Sequence, residues 1–200
     1  MASLFDTLQT QAFRAGIKAR TDKSRDWFQK KVGELTVPSR AKLLKDKALG
    51  KAASVRGQQF VGNMYMYFYD PKHKQTLPYY DRFPMTIITG PAQGGFTGLN
   101  LHYLNYNVRA MFLDELMALA PQKVTQDTRL RKLRYDLLAS TARYKEFKPC
   151  YKHYLSAHVK SQFSQIYMTE WEIAIFLPVE QFTKASKSTV WKDSMKIARS

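Results

Sequence analysis

The clearest pattern of apolar and polar positions lies between Phe60 and Tyr106. Met64, Met66 and Phe68 alternate with Tyr65, Tyr67 and Tyr69, the period of two expected of a strand. One face is expected to be aliphatic and the other aromatic with polar tips. Asp70-Pro71-Lys72 ends the run, because proline cannot donate to a ladder. A second run, Pro84 to Thr89, is centred on Ile87 and Ile88, and a third covers Phe96 to Tyr103. The breakers Gly90-Pro91 and Gly94-Gly95 place a turn between them. Gly98, inside the third run, predicts a bulge or a close approach of another backbone. Two or three strands do not stand alone in water. The pattern therefore calls for a helix, another strand or a partner chain over one face.

Helical spacing flanks this centre. In residues 2–33 the apolar positions are Leu4, Leu8, Phe13, Ile17, Trp27, Phe28 and Val32, with Gly16 and the Thr21 to Ser24 stretch dividing them into two helices. Arg14, Lys18, Arg20, Lys23, Arg25, Lys30 and Lys31 fall between them. Ser39 is placed to cap a short helix over 41–49, ended by Gly50, and 50–58 reads as a linker. Asn105 or Asn107 caps a helix to Ala120 whose apolar face is Val108, Met111, Phe112, Leu116 and Leu119, and Pro121 stops it.

Thr125 or Thr128 opens the next helix, with Leu130, Leu133, Leu137 and Leu138 buried and Arg129, Arg131, Lys132 and Arg134 outside. Cations in a first turn are unfavourable by roughly 0.3–1 kcal/mol each, which an anion or acidic partner would offset. Lys148-Pro149 is read as the start of a third helix, with Tyr151, Tyr154, Leu155 and His158 along one side. Arg143, Lys145, Lys148, Lys152 and Lys160 surround it. Cations interleaved with tyrosines suit phosphates and bases; the same tyrosines equally suit a core. Ser164 to Met168 reads as a short strand. Thr169 with Glu172 reads as a capping box for a helix from Glu170 to Phe176, although Ile173, Ile175 and Leu177 also alternate as in a strand.

The fold class expected is α+β: a small antiparallel sheet or SH3-like barrel over about 60–103, packed by the 107–120 helix. The expected domains are a basic helical arm (1–56), a core (57–182) and a basic tail (183–200) with Trp191 as its anchor. A hydrophobic content of 44% supports a real core. No run of 18 or more apolar residues occurs, so no membrane-spanning helix and no membrane partner is expected. The first twenty residues lack the apolar run of a secretory signal, and Asp6, Asp22 and Asp26 weaken a likeness to a transit peptide. The single Cys150 excludes an internal disulfide and reads as a small buried thiol.

The net charge is +16, and it is segregated. Residues 1–56 carry +8, 57–120 carry zero, 121–163 carry +7, 164–182 carry −3 and 183–200 carry +4. Such placement is the electrostatic footprint of a polyanion-binding protein; a basic surface facing an acidic protein would look the same. The candidate DNA-binding residues are the seven cations of the first 33 residues named above, the four of the 125–138 helix, and Arg143, Lys145, Lys148 and Lys152.

Catalytic chemistry is absent from the motifs. Gly94-Gly95 lacks the context of a phosphate-binding loop, and His73, His102, His153 and His158 have no metal-ligand spacing. Asp70 and Asp81 flank one turn and read as turn formers rather than a carboxylate pair. No cofactor, metal or catalytic residue is expected; a nuclease reading would need metal-dependent cleavage lost on changing Asp70 or Asp81.

The runs MYMYFYDPKHKQTLPYYDRFPMTIITGPAQGGFTGLNLHYL, FKPCYKHYLSAHV, EWEIAIFLP and VWKDS resemble the DNA end protector family of T4-like tailed phages, over about residues 60–192. The resemblance implies a late virion structural protein, present in host cytoplasm during assembly, that binds the ends of packaged linear double-stranded DNA and shields them from host exonuclease. It carries over no catalytic residues. In the motif, Gly90, Gly94, Gly95 and Gly98 look like backbone requirements, and Asp70, Pro71, Tyr79, Tyr80, Asp81 and Pro84 look like loop-shaping residues. A second expectation is a neck, baseplate or tail-hub adaptor, a head–tail connector type of component whose basic arms bind neighbouring virion proteins.

Overall fold

The computed structural model describes residues 4–19, 21–35, 61–118 and 145–199. The helices expected at 41–49 and from Thr125 or Thr128, the 50–58 linker, and the cations Arg20, Arg129, Arg131, Lys132, Arg134 and Arg143 lie outside the described residues.

A five-stranded antiparallel sheet is built on the alternating run. Strand β1 (Met64–Met66) pairs on one side with β3 (Met85–Ala92) and on the other with β6 (Ser164–Ile166). Strand β4 (Gly95–Asn100) pairs with β3 and with β5 (Tyr151–Leu155), giving the order β5-β4-β3-β1-β6. Strands β2 (Tyr80–Asp81) and β7 (Phe182–Thr183) form a separate two-stranded ribbon. The fold is α+β as expected. The sheet is not a closed barrel, and two of its strands come from beyond residue 103.

Alternation sorts the two faces. Met64, Met66, Met85, Ile87 and Leu99 point into the main core with the helices, while Tyr65, Tyr67, Tyr69, Ile88, Phe96, Tyr154 and Phe163 form an aromatic layer on the other side. Tyr67 lies at its centre, with ring centroids of Phe163, Tyr154 and Phe96 at 4.7, 5.5 and 5.8 Å. Such pairs add roughly 0.5–1.5 kcal/mol each beyond area burial.

Two glycines let β4 lie close to its neighbours. A Cβ at Gly95 would sit 1.8 Å from the Tyr154 carbonyl oxygen, and one at Gly98 would sit 2.3 Å from Thr86 Cγ2 and 2.9 Å from the Ile87 carbonyl oxygen. Gly98 therefore marks close approach; the register shift lies across from it on β3, between Ile88 and Gly90. Thr89 fills that shift and bonds its hydroxyl to Thr97 at 2.9 Å. Strand β3 runs through Gly90-Pro91, which the sequence reads as a break. Pro91 lies past the β1 pairing, where a missing N–H costs no ladder bond.

The described part of the N-terminal region forms two helices, as expected, α1 (Leu4–Arg14) and α2 (Asp22–Gly33). Thr21 caps α2 reciprocally with Ser24, the division read from the sequence. Both helices contribute to the core through Phe5, Leu8, Ala12, Phe28 and Val32. Phe13, expected inside, is 85% exposed. Phe5, Leu8 and Ala12 share one stripe, and Phe13 comes about 100° further round the helix.

Helix α3 (Tyr106–Ala118) begins where Asn105 Oδ1 accepts from the Val108 N–H at 3.0 Å. Its inner face is rotated from the expected one. Arg109, Ala110, Phe112 and Leu113 are buried, and Met111 is 63% exposed. The rotation follows from Arg109, whose buried partners are described below.

The stretch after Pro149, expected as a helix, is strand β5 followed by a 3-10 turn over Ser156–His158. Tyr154 joins the aromatic core while Tyr151 is exposed. The Glu170 helix is shorter than expected: a 3-10 turn (Met168–Glu170) leads into α4 (Trp171–Ala174), and Glu170 reaches back to the Tyr167 N–H at 2.9 Å, two residues before the expected cap. Residues Lys187–Arg199 form α5, with Val190, Ser194 and Ala198 buried. Trp191 anchors it by donating from Nε1 to the His102 carbonyl at 2.9 Å.

Replacing Gly95 or Gly98 by alanine is expected to destabilise the protein by about 1–3 kcal/mol, as overpacking against backbone does. Thermal melting of each variant beside Gly33→Ala, where a Cβ meets nothing within 4 Å, measures it.

Candidate nucleic-acid interface

Between β1 and β2 the chain leaves the sheet as a loop over residues 71–80. Pro71 and Pro78 keep it out of the ladder, and turns carried by the Pro71 and His73 carbonyls close it. Its base is fixed by Tyr69 N–H to the Arg82 carbonyl and Asp70 N–H to the His158 carbonyl, at 2.9 and 3.0 Å. Lys184, at the end of β7, adopts a left-handed φ of 72° and sends its ammonium to the Gln75 and Leu77 carbonyls at 2.8 and 3.0 Å. A non-glycine residue in that conformation costs of order 1 kcal/mol, offset here by two charge-assisted bonds that hold the loop.

The loop stands between two clefts. The larger, about 540 Å³, is walled by Lys72, His73, Leu77, Pro78, Tyr79 and Tyr80 of the loop, by Lys152–Leu155 of β5 and by Ile197 of α5. The smaller, about 460 Å³, is lined by Phe68, Asp70, Lys74, Arg82 and Lys160. Tyr69 and Tyr80 line both. Asp70 is held by Lys74 at 3.0 Å, which keeps its carboxyl below the usual range. Among the described residues, Lys72, Arg82, Lys152 and Lys160 have no carboxylate within ion-pair distance.

Lys152 is the least ordinary of these. It is half-buried and its Nζ lies 4.1 Å from the Tyr103 ring centroid. Burial pulls the ammonium below its ordinary range. Neighbouring Cys150 is fully buried, its thiol pushed up to about 12 by burial, which makes it inert packing.

Asp81 and Tyr103 belong to the wall of the larger cleft, and behind them lies a buried polar network. Asp81 accepts from His102 Nδ1 at 2.7 Å, Asn100 Nδ2 at 3.1 Å and the Phe83 N–H at 3.0 Å. Burial alone would raise its carboxyl; the imidazole and these donors outweigh it and hold it low. Arg109 donates to the carbonyls of Leu104, Ile175 and His102 and to Glu180 Oε1 at 2.6 Å. Glu180 is likewise held low, against its burial, by His102 and Arg109. Asp70 and Asp81 thus serve separate partners rather than one another.

The sequence-predicted cations among the described residues are spread over several elements. Arg14 ends α1 and Lys18 follows it, both exposed; Lys23 and Lys30 are exposed on α2. Arg25 is taken up by Asp22 and Asp114, and Lys31 by Glu34 at 2.8 Å. Lys145 and Lys148 flank a short 3-10 turn that packs on α5. Among the described members of the set, Lys152 alone lines the larger cleft. Lys72, His73, Lys74, Arg82 and Lys160 are absent from the sequence-based list. For Lys72, His73 and Lys74 the signal was the KHK triplet between Asp70-Pro71 and Pro78-Tyr79-Tyr80, hidden because residues 57–120 sum to zero charge; Lys160 was read only as a neighbour of the expected third helix.

The family model described as phage T4 terminal DNA protecting protein matches residues 2–195. The chain belongs to this family. The match takes in the basic first 56 residues, which the motif resemblance over about 60–192 leaves out. It is consistent with α1 and α2 being built into the same core as the sheet. Comparisons with curated proteins and with solved structures returned no match.

Arg109→Met is expected to cost about 3–5 kcal/mol, because it strands a buried carboxylate. Asp81 and Glu180 have lowered folded pKa values. Their stabilisation is therefore complete above the ordinary carboxylate range near 4 and is lost as pH falls through the folded values. Asp81→Asn should melt well below the wild type at pH 7, with the gap narrowing toward pH 3. Equal gaps at both pH values would show that the carboxylate charge contributes nothing.

Proposed function

We propose that this protein binds the ends of linear duplex DNA in a phage particle and covers them without catalysing a reaction. The match of the terminal DNA protecting family over residues 2–195 carries this reading. The charge of +16 and the basic, tyrosine-lined clefts beside the 71–80 loop support it. Phosphate contacts are made by exposed lysines and arginines of α1, α2 and the loop, and among the described residues no element is built to read base edges in a groove. The sequence-predicted cations outside the described residues belong to the same proposal. Binding in the virion, and in host cytoplasm during assembly, follows from the reading rather than from a contact on the molecule.

Six phosphate contacts give a log–log dependence on salt with a slope of about −5. Titration of a fluorescent duplex from low to high salt measures it, and a flat response removes the reading. Linear DNA should be bound more tightly than a covalently closed circle of the same sequence. Equal affinity would reduce the protein to a general duplex binder.

A second partner, another virion protein, is favoured by one observation. Phe13 stands 85% exposed at the rim of an apolar groove of about 450 Å³ formed with Ala12, Phe28, Leu113, Met168 and Trp171. The adaptor reading with limbs that order only on assembly loses support over residues 4–35, which are packed into the body. If the groove seats a virion neighbour, Phe13→Asp will reduce incorporation into particles while leaving DNA affinity within twofold. Particle composition and binding assays on the same variant separate the two.

A further inference from the structure

We infer that the cleft between the 71–80 loop and β5 takes a single unpaired nucleotide at the end of a DNA strand, its base against the tyrosine wall and its phosphate beside Lys152. The inference rests on the end-binding reading and specifies the form in which the end is held.

Size comes first. At about 540 Å³ the cleft falls within the range of small-molecule sites. It has no room for a duplex, whose major groove alone is about 12 Å wide. What enters is one nucleotide or something of its bulk.

Chemistry narrows the class. An ammonium has three donors, and Lys152 has no hydrogen-bond or ion-pair acceptor among the described residues, only the Tyr103 face at 4.1 Å. With no acceptor of the described residues occupying it, this half-buried cation is open to an anion that enters the cleft. The one carboxylate in the wall, Asp81, is committed to His102 and Asn100 and does not supply it. Lys72 and His73 add donors around the same space, whereas His153 Nε2 is taken up by the Gln93 carbonyl at 3.0 Å. Asp193 of α5 lies near enough to Tyr79 to help burial raise its hydroxyl, but is itself 3.8 Å from Lys196.

Tyr79 and Tyr80, both half-buried, line the same cleft, and aromatic side chains are what bases of any sequence stack on. An anion alone would not need them, and an apolar ligand would not need Lys72 and Lys152. Across Tyr69 and Tyr80, the neighbouring cleft offers Arg82 and Lys160 to the phosphates that follow. A blunt end would therefore be bound with its last pair opened, at a cost of a few kcal/mol for unpairing, and a one-nucleotide overhang would enter without that cost.

The test uses the full chain and three DNAs of one sequence: blunt, with a one-nucleotide overhang, and closed at both ends by hairpins. 2-Aminopurine is placed at the terminal or at an internal position. Binding should change the fluorescence of the terminal reporter and leave the internal one unchanged, and the overhang should bind more tightly than the blunt end. Lys152→Met and Tyr79→Ala should each weaken binding to open ends about tenfold and leave the hairpin-closed DNA unaffected, while Lys152→Arg and Tyr79→Phe retain affinity. An unchanged terminal reporter, with open ends still preferred, overturns the nucleotide cleft and leaves end binding standing. So do Lys152→Met and Tyr79→Ala proteins that bind open ends like the wild type. No preference for open over closed DNA removes the end-binding reading and this inference with it. Should Tyr79→Ala fail to fold, the wild-type reporter decides alone.

Discussion

The buried network centred on Arg109 is the constraint on which the described structure most depends. One guanidinium meets the carbonyls of Leu104, Ile175 and His102 and the carboxylate of Glu180. The His102 carbonyl also accepts from Trp191, and the His102 ring donates from Nδ1 to Asp81. Helix α3, the turn after β4, the segment after α4, the β2–β7 ribbon and α5 therefore meet at one set of polar atoms. Burying four ionisable side chains costs several kcal/mol each unless their bonding capacity is met. Arg109 meets it almost completely, which is why the arrangement specifies how these elements dock rather than merely allowing it.

The same network sets the electrostatics of the larger cleft. Asp81 lies in its wall, and a free carboxylate there would repel phosphate. Bound to His102 and Asn100, its charge is compensated from behind. Lys72 and Lys152 are left to face the opening without a counterion among the described residues. A residue that sequence composition counts as cancelling a positive charge is thus removed from the surface by tertiary structure. Arg25 and Lys31 are the converse, cations that composition counts as free and that carboxylates occupy.

Loop and sheet divide the work of building the clefts. The sheet supplies rigid walls through β5, against which Gly95 lets β4 lie at close range, while Gly98 does the same for β4 on β3. The loop supplies tyrosines and cations, and Lys184 holds it from the far side of the ribbon. Sites whose side chains sit on fixed elements lose less entropy on binding than sites on free loops. A compact DNA end, offering one terminal nucleotide and few phosphates, benefits from that preorganisation more than a long duplex does.

Local chemistry alone determined much of this protein. The Met/Tyr alternation of 64–67 sorted the two sheet faces, Thr21 divided the N-terminal helices and Asn105 opened α3, because period and capping act within a few residues of chain. The resemblance of the central motifs to the end-protector family was readable for the same reason. Other features arose only from packing. Tyr151, Tyr154 and Leu155 have helical spacing, yet they form an edge strand because β4 offers its free ladder there. Phe5 is inside and Phe13 outside, and Arg109 is buried where Met111 is exposed, because partners distant in sequence decide which stripe of a helix faces inward. The cleft joins residues about 70–80, 152–155 and 197, and no local pattern records that the chain brings them together.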